Sequence, residues 1–296
     1  MEQTVVVRTL RLGLFRDYLS LAKPRTVMLH LITATAAMFV AAGGVPPVPL
    51  LLLTLTGGGF LAAASNTLNC YFDRDLDAKM VRTRSRPLPA GRLSPGHALV
   101  MGIALGSAGA AVLFRFIGVP EALLSIGALA YYVGVYTVWL KRRTRWAALF
   151  GSAAGSIPPL VGWVAVTGAV DVTPFLLFAI IALWTPPHFW SLAIFRRREY
   201  ELAGVDPAPS KTAPLWIVAC SLLLVVTTIS TAVAGGMGMV YAVTASALGV
   251  VLVSLAVLVW ASEDARKARW LYAYSVFYLV ILFASMIIDR AGMRLL

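Results

Sequence analysis

The sequence predicts an all-α membrane protein, a polytopic bundle of nine transmembrane helices. Of the 296 residues, 59% are hydrophobic and only 13% are charged, whereas about a quarter of a typical soluble domain is charged. The charged residues are also absent from nine apolar runs, each long enough to cross a hydrocarbon core of about 30 Å as a helix. Finally, lysine and arginine are concentrated in every second connection between these runs.

The nine runs follow one another with mostly short connections, so we expect a single membrane domain over residues 1–296, with its transmembrane helices within 26–289. The predicted runs are 26–43, 48–70, 97–115, 120–140, 147–166, 172–194, 213–233, 238–260 and 270–289. Longer connections follow the second and sixth runs, and such loops in compact proteins are usually functional. Proline pairs at 158–159 and 186–187 should interrupt two helices, and glycines 57–59 should allow close helix packing.

The segment 1–25 predicts an amphipathic helix on the cytoplasmic membrane surface. Apolar residues recur in it at helical spacing, and charged residues fall on its other faces. The apolar positions are Val7, Leu10, Leu14, Tyr18, Leu21 and Ala22. No small-residue cleavage site follows an isolated apolar core, so the segment does not resemble a cleaved signal peptide. The absence of an organelle-type presequence favours a prokaryotic plasma membrane.

The distribution of positive charge predicts the orientation in the membrane. Connections on one side carry 22 of the 25 lysines and arginines, and the exceptions are Arg115, Arg290 and Arg294. Positive loops are retained in the cytoplasm, so the N-terminus should be cytoplasmic and the C-terminus outside, which requires an odd number of spans. The same bias explains the net charge of +12. We therefore exclude nucleic acid as a partner, although basic proteins often bind it.

Three polar side chains at the end of the second run predict a metal site. Asn69, Asp73 and Asp77 are spaced four residues apart, so they share one helix face, whereas Asp75 should face water. Carboxylates at a helix C-terminus oppose the helix dipole unless a cation is present. Mg²⁺ typically takes one or two carboxylates and completes its shell with water and phosphate. The pattern therefore favours Mg²⁺ over a solvated helix end.

Basic residues near this motif predict a diphosphate site, because carboxylate-bound metal and cationic side chains together suit such a leaving group. Lys79, Arg82 and Arg86 follow the motif in the chain. Tyr136, Lys141 and Arg142 end the fourth run, and Lys23 and Arg25 stand at the start of the first run. For each of these cationic residues, the competing explanation is that its charge only keeps the loop in the cytoplasm during membrane insertion.

The motif and several longer segments resemble the UbiA-type intramembrane prenyltransferases. Asn69-x3-Asp73-x3-Asp77 resembles the first aspartate-rich motif of that superfamily, and longer segments are similar to its haem-specific, farnesyl-transferring branch. These segments are YFDRDLDAKMVRTRSRPLPAGRLSP (71–95), YTVWLKRRT (136–144), GSAAGSIPPLVGWVAVTG (151–168), WTPPHFWSLAIFRRREYELAGV (184–205) and ARWLYAYSVFYLVILF (268–283). The resemblance runs from LAKPR (21–25) to the last span.

The resemblance implies a ring of nine helices around a central cavity that opens laterally to lipid. It implies transfer of the farnesyl group of farnesyl diphosphate to a vinyl group of haem B, with addition of water, giving haem O and diphosphate. Haem B is then a substrate rather than a cofactor, and Mg²⁺ is held by Asn69, Asp73 and Asp77. A downstream haem-modifying enzyme is a candidate partner. From the charge bias and the lack of an organelle-type presequence, we expect a multi-pass protein of the plasma membrane with its active-site loops in the cytoplasm.

A second polar cluster follows the sixth run. Other superfamily members usually carry a second aspartate-rich motif here, but this segment has no Asp-x3-Asp pair, and Glu199 is the nearest acidic candidate. Among its arginines, Arg197 is a candidate diphosphate ligand. The segment 206–210, Asp-Pro-Ala-Pro-Ser, also differs from the Pro-Met-Leu-Pro-like sequence that the resemblance implies after residues 203–205. These departures put a symmetrical two-metal site in doubt.

His188 is the third candidate catalytic residue, after Asp73 and Asp77, because a polar group inside an apolar span is costly and usually functional. It could contact the haem iron or a propionate, or act as an acid or base, and structural hydrogen bonding is the alternative. Packing is the favoured interpretation of His30. An allylic cation also needs aromatic faces for stabilisation, and the candidates are Tyr132, Trp163, Trp184, Phe189 and Trp190.

Three other functions compete with this interpretation. A sister prenyltransferase acting on a quinone precursor or chlorophyllide would share the first motif, but it should lack the His-Phe-Trp segment at 188–190. A transporter could use broken helices with sites at mid-depth, whereas the ionisable residues here cluster at one membrane face. A non-catalytic haem-binding assembly protein would have no need of Asn69, Asp73 and Asp77 in register.

Overall fold

The computed structural model describes residues 13–204, 208–209, 212–262 and 264–292, and this part of the chain contains helices and no strands. It includes nine helices that are long and apolar enough to cross a membrane, which confirms the predicted fold class. The first to ninth spans are Pro24–Ala42, Val48–Phe72, Pro95–Phe116, Val119–Arg142, Ala147–Thr167, Val172–Phe195, Ala213–Ala234, Met239–Ser262 and Ala265–Gly292. Shorter helices Arg74–Lys79 and Arg197–Leu202 follow the second and sixth spans.

Most span ends agree with the predicted runs to within two residues, but the ninth span is longer at both ends. It begins at Ala265, whereas the apolar run begins at residue 270. Arg266, Lys267 and Arg269 form its first turns, so a search for uncharged sequence detects the apolar part of the helix and omits its basic start. The helix itself continues because its backbone hydrogen bonds do not depend on apolar side chains.

The two proline pairs have different effects. The fifth span is divided at Ser156 into the helices Ala147–Gly155 and Ile157–Thr167, and Pro158 and Pro159 begin the second of these. The sixth span instead runs as one helix through Pro186 and Pro187. The predicted interruption at that pair is therefore wrong as regards helix continuity. The fourth span changes character without proline: it is α-helical to Ala130, a π-helix over Tyr131–Trp139 and a 3₁₀ turn over Leu140–Arg142.

The described part of the N-terminal segment is helical over residues 13–22, and its positions before residue 13 lie outside the described residues. Leu14, Phe15 and Leu19 are exposed on this helix, while Leu21 and Ala22 are buried. Asp17 accepts hydrogen bonds from Arg92, which connects the helix to the loop after the second span. The position of this helix on the cytoplasmic membrane surface stays a prediction.

The hydrophobic core is asymmetric, and this asymmetry positions the candidate site. The main buried cluster joins the first and fifth spans to the sixth, seventh, eighth and ninth, whereas the second to fourth spans contribute only small clusters. The second and third spans pack closely where Gly57 and Gly109 meet, since a Cβ at Gly109 would clash with the Gly57 carbonyl. The space left between the first, second, fourth and fifth spans forms an apolar cavity.

Candidate active site

The predicted polar face exists at the end of the second span. The span ends at Phe72, and Asp73 links it to the helix Arg74–Lys79. The helical register continues across this junction, because the Asp77 backbone N–H donates a hydrogen bond to the Asp73 carbonyl at 2.7 Å. Asn69, Asp73 and Asp77 are only 4%, 1% and 5% exposed. Two carboxylates and an amide thus occupy a buried position at one end of the bundle.

Asp73 is held by residues from two spans. Its Oδ2 accepts a hydrogen bond from Asn69 Nδ2 at 2.8 Å and forms an ion pair with Lys141 Nζ at 2.5 Å. The Asn69 amide also donates to Thr137 Oγ1 at 3.1 Å. Thr137 lies in the π-helical part of the fourth span and Lys141 directly after it, and such segments are frequent at functional sites. The change of helix type therefore accompanies the part of the fourth span that reaches the motif.

Lys23 adds a second lysine to the motif. It adopts a left-handed conformation with φ 50° just before the first span. Its Nζ donates to Asn69 Oδ1 at 2.7 Å. Burial lowers the pKa of Lys23 below its usual value. In the sequence, Lys23 was recognisable only as a cationic residue beside Pro24 at the start of a span. The retention of positive charge in the cytoplasm during membrane insertion explains a lysine at such a position equally well.

Asp77 is paired within the loop that follows it. Its Oδ2 lies 2.7 Å from Arg86 Nη1, and its carbonyl accepts a hydrogen bond from Thr83 Oγ1 at 2.9 Å. Arg86 thus points back towards the motif. The sequence predicted a position near the motif for the basic residues that follow Asp77.

The buried carboxylates suit a divalent cation. Asp73 Oδ1 is buried and has no hydrogen-bond partner among the described residues, and such an oxygen costs free energy unless it is satisfied. No group of three or more histidine, cysteine, aspartate or glutamate side chains is placed to hold a metal in the described part of the chain. The candidate donors are the two carboxylates and the Asn69 amide, a set that suits Mg²⁺ better than metals that need an all-protein shell.

A polar cavity lies against this cluster, and six of the predicted site residues line it. They are Asn69, Asp77, Arg82, Arg86, Tyr136 and Lys141. Lys23, Tyr132, Phe189 and Tyr200 also line it. Burial raises the pKa of the Tyr200 phenol, so this group stays protonated. The second, fourth and sixth spans thus bring together residues that are far apart in the sequence.

Lys79 and Arg142 lie in a neighbouring basic pocket, which also includes Lys141, Arg143 and Arg145. Arg142 donates to both Asp75 oxygens, at 2.8 and 2.9 Å, and to the Phe72 carbonyl. This hydrogen bonding lowers the pKa of Asp75. Asp75 is 61% exposed and faces away from the motif, as predicted.

Arg197 and Glu199 are not brought into either cavity. Arg197 is 71% exposed and pairs with Glu201 at 2.9 Å. Glu199 pairs with Arg196 at 2.7 Å, and its Oε2 is buried without a partner among the described residues. Tyr200, which the sequence did not single out, is the residue of this segment that reaches the polar cavity. Of the unusual segment 206–210, residues 206, 207 and 210 lie outside the described residues.

His188 is fixed between two aromatic rings in the bundle interior. It stacks on Trp184 with ring centroids 4.4 Å apart and on Tyr272 at 4.7 Å. Its Nδ1 lies 2.7 Å from Ser275 Oγ, and that hydroxyl donates to the Tyr272 carbonyl. With the serine proton directed to that carbonyl, the tautomer protonated on Nδ1 satisfies both contacts and leaves Nε2 as the acceptor. His188 thus presents a basic nitrogen with a defined orientation.

The apolar cavity lies next to the polar one, and Tyr132 lines both. It has a volume of about 150 Å³. Along the second span it extends from Asn66 to Thr54, a distance of about 18 Å at the helical rise per residue. Two of its lining residues, His30 and Thr54, each have a polar side-chain atom, Nδ1 and Oγ1, that is buried without a hydrogen-bond partner among the described residues.

Only two of the five aromatic candidates face the cavities. Tyr132 and Phe189 line the polar cavity. Trp163, Trp184 and Trp190 are instead buried in the main hydrophobic core, and Trp184 donates to the Ser275 carbonyl. Trp163 packs into the core from the fifth span, and Trp184 and Trp190 pack into it from the sixth. Contact of these three rings with an allylic cation stays a prediction.

Comparison with known proteins places the chain in one family. Residues 30–283 match the UbiA prenyltransferase family. A protein named protoheme IX farnesyltransferase from Symbiobacterium thermophilum is 45% identical, over 93% of this chain and 94% of the relative. A protein of the same name from Gloeobacter violaceus is 44% identical, over 92% of this chain and 91% of the relative.

The fold is also similar to solved structures. An apo UbiA homologue from Aeropyrum pernix K1 has a TM-score of 0.74 and 21% identity, over 90% of this chain and 98% of that chain. A UbiA homologue from Archaeoglobus fulgidus bound to GPP and Mg²⁺ has a TM-score of 0.61 and 16% identity, over 91% of this chain and 99% of that chain. At these identities the likeness establishes the fold alone.

Proposed function

Since the chain belongs to the UbiA prenyltransferase family, we propose that it transfers the farnesyl group of farnesyl diphosphate to a vinyl group of haem B, with addition of water. The products are haem O and diphosphate. The observation that carries the proposal is the buried Asn69–Asp73–Asp77 cluster with its lysines, beside a polar cavity that shares Tyr132 with an apolar cavity. The names of the relatives at 45% and 44% identity support the choice of substrates.

Asp73 and Asp77, with the Asn69 oxygen, would hold Mg²⁺. The buried, unpartnered Asp73 Oδ1 supports this assignment, and the fold relative bound to GPP and Mg²⁺ agrees with it. When bound, the metal ion would neutralise charge on the diphosphate. Asn69 donates to Asp73, and this contact orients the carboxylate before substrate arrives.

Cationic side chains would stabilise the departing diphosphate. Lys23, Arg86 and Lys141 line the polar cavity and already contact the motif. A diphosphate in this cavity would exchange their carboxylate and amide contacts for phosphate oxygens, which is charge stabilisation at the leaving group. Arg82 and Tyr136 line the same cavity. Lys79 and Arg142 would attract the anion from the neighbouring basic pocket, whereas Arg197 and Glu199 remain predictions without a cavity contact.

The farnesyl chain would occupy the apolar cavity. The cavity is about 18 Å long along the second span, which suits an extended chain of three isoprene units. Mostly apolar side chains of four spans form the cavity walls. Tyr132 lies where the two cavities meet, so its ring would face the allylic cation and stabilise it.

His188 would act on the haem. Its fixed neutral ring presents Nε2 as an acceptor, which suits ligation of the haem iron or acceptance of a proton. Contact with a propionate would instead require a proton on Nε2. We therefore favour His188 as an iron ligand that positions the porphyrin for attack by its vinyl group.

The cellular setting follows from the charge bias. We propose that the single domain lies in the plasma membrane as a multi-pass protein, with its N-terminus and active-site loops in the cytoplasm and its C-terminus outside. The product, a modified haem, would pass to a downstream haem-modifying enzyme.

The direct test is incubation of the purified protein in detergent with haem B, farnesyl diphosphate and Mg²⁺, followed by mass spectrometry of the haem. The expected product is heavier by a farnesyl group plus water. Transfer to a phenolic or quinone-type acceptor in place of haem would retain the prenyltransferase and replace the substrate. No prenyl transfer to any acceptor would favour the transport or haem-binding alternatives.

A further inference from the structure

The fourth span reaches the carboxylate motif through a hydroxyl group that the function described so far does not use. Thr137 is fully buried, and its Oγ1 accepts a hydrogen bond from Asn69 Nδ2 at 3.1 Å, across 68 positions of the chain. The same hydroxyl donates to the Tyr132 carbonyl at 2.8 Å. Because its proton is directed to that carbonyl, the Thr137 oxygen meets Asn69 as an acceptor.

The helix type of the fourth span accounts for the direction of this hydroxyl. Thr137 and Tyr132 belong to the π-helical segment Tyr131–Trp139, in which hydrogen bonds join residues five apart. The Thr137 side chain likewise bonds five residues back, whereas Thr67, in an α-helix, bonds four residues back to Ala63. The contact with Tyr132 therefore fixes the Thr137 hydroxyl, and its remaining acceptor capacity is used by the motif.

The hydrogen-bond partners of the Asn69 side chain in the described part of the chain all require one orientation of its amide. Nδ2 donates to Asp73 Oδ2 at 2.8 Å and to Thr137 Oγ1, so both of its protons have acceptors. Oδ1 accepts from Lys23 Nζ at 2.7 Å, and an ammonium group offers only donors. A flipped amide would place its oxygen beside the Asp73 carboxylate and its NH₂ group beside Lys23. Oδ1 is thus held on the side of Lys23, and both residues line the polar cavity.

Thr137 differs from the other two partners because it has no role in binding metal or substrate. Asp73 is itself a candidate metal ligand, and Lys23 is a candidate diphosphate ligand, so both contacts would change when metal and substrate bind. The Thr137 hydroxyl is neutral and is held by its own span. It is therefore the contact that would keep the Asn69 amide in place throughout.

We propose that Thr137 is a positioning residue, which holds the Asn69 amide so that Oδ1 faces the metal ion. This inference rests on the proposed function, in which Asn69, Asp73 and Asp77 hold Mg²⁺. Without the hydroxyl, one buried amide proton would lose its acceptor, which is unfavourable, and the amide would lose its fixed orientation. Groups that orient metal ligands in this way typically contribute about 10- to 100-fold to metal affinity or activity.

The test measures Mn²⁺ binding by electron paramagnetic resonance and the Mg²⁺ dependence of farnesyl transfer. Thr137→Val keeps the shape of the side chain and removes the hydroxyl. It should raise the Kd for Mn²⁺ and the half-saturating Mg²⁺ concentration by about tenfold or more, while kcat at saturating Mg²⁺ changes much less. Thr137→Ser keeps the hydroxyl and should restore both values. Thr137→Ala also lacks the hydroxyl and takes the place of Thr137→Val if that variant does not fold.

Thr67→Val is the matched control. Thr67 is also fully buried, and it lies two residues before Asn69 in the second span. Its hydroxyl donates to the Ala63 carbonyl of its own helix rather than to the motif. This variant should therefore keep the metal dependence of wild type.

Three results would overturn the inference. The first is a wild-type metal dependence in folded Thr137→Val or Thr137→Ala, even with a lower melting temperature, since Thr137 would then act only in helix packing. The second is an equal rise in Thr67→Val, and the third is a Thr137→Ser variant no better than Thr137→Val.

Mn²⁺ binding needs no haem, so it separates this inference from the proposed reaction. If wild type binds Mn²⁺ and Asp73→Asn does not, but wild type transfers no farnesyl group to haem, the proposed reaction fails and the Mn²⁺ comparison still tests Thr137. If wild type binds no more Mn²⁺ than Asp73→Asn, the metal site fails and this inference fails with it.

Discussion

The ammonium nitrogen of Lys141 lies 2.5 Å from Oδ2 of Asp73, a residue 68 positions earlier in the chain. Both side chains are largely buried, where an unpaired charge would be costly. The candidate metal-binding carboxylate is therefore neutralised by a lysine of another span before substrate arrives. A diphosphate would be a second anion for the same lysine, so substrate binding should redistribute charge within the site rather than add uncompensated charge.

Asp73→Asn tests the metal site. We expect prenyl transfer to fall by about 100-fold or more, as when a charge-stabilising group is removed from an active site. Asp75→Asn is the matched control, because Asp75 is an exposed carboxylate two residues away that pairs with Arg142. It should change the rate by less than about threefold, in line with a weak surface ion pair. Equal loss in both variants would contradict the assigned site.

Lys23→Met tests whether this lysine binds the diphosphate. It should raise the KM for farnesyl diphosphate by about tenfold or more, because a charge-assisted contact to phosphate is lost in a buried site. Arg25→Met removes a nearby exposed cation and should leave the KM nearly unchanged. A similar rise in both variants would show that general positive charge at this end of the bundle, rather than the Lys23 contact, attracts the substrate.

His188→Ala tests haem ligation by spectroscopy, without prenyl transfer. The Soret band of bound ferric haem should shift towards that of a protein lacking the ligand, and added imidazole should reverse the shift. Ser275→Ala removes the acceptor of the Nδ1 proton and should weaken haem binding less, since the ring remains stacked between two aromatic residues. His97→Ala, at an exposed position, is the control. Unchanged spectra in His188→Ala would exclude iron ligation.

Gly58→Leu tests the position of the farnesyl chain. Gly58 lines the apolar cavity, and a Cβ there would meet no atom within 4 Å, so a larger side chain fills cavity space without disturbing its neighbours. The variant should lose farnesyl transfer while keeping geranyl transfer, because the shorter chain needs less length. Gly127→Leu lies on an exposed face with similar space around it. Its preference between the two chains should match wild type, and a change there would point to a general helix effect.

Local patterns account for what the sequence predicted correctly. Nine apolar runs became nine spans because the length of an uncharged segment decides whether it crosses a membrane. Asn69, Asp73 and Asp77 share one side because i, i+4 spacing holds within a helix, and the register persists through the junction at Asp73.

Predictions of which residues from separate segments meet at the site were less reliable. Arg82 and Lys141 do line one cavity, but Arg197 faces outwards, and Trp163 packs in the core. Basic residues retained for insertion look the same in sequence as those that bind substrate, and an aromatic residue in an apolar run can face either the core or a cavity. The direction in which each span turns settles both questions.

The sequence by itself determined the number of spans, the placement of basic charge at one end and the carboxylate motif, since each depends on residues within a few helical turns. Only the tertiary structure decided which cations reach that motif and that the Nδ1 of His188 meets the Ser275 hydroxyl. These contacts join residues 46 to 87 positions apart, and their geometry is fixed by the packing of separate spans.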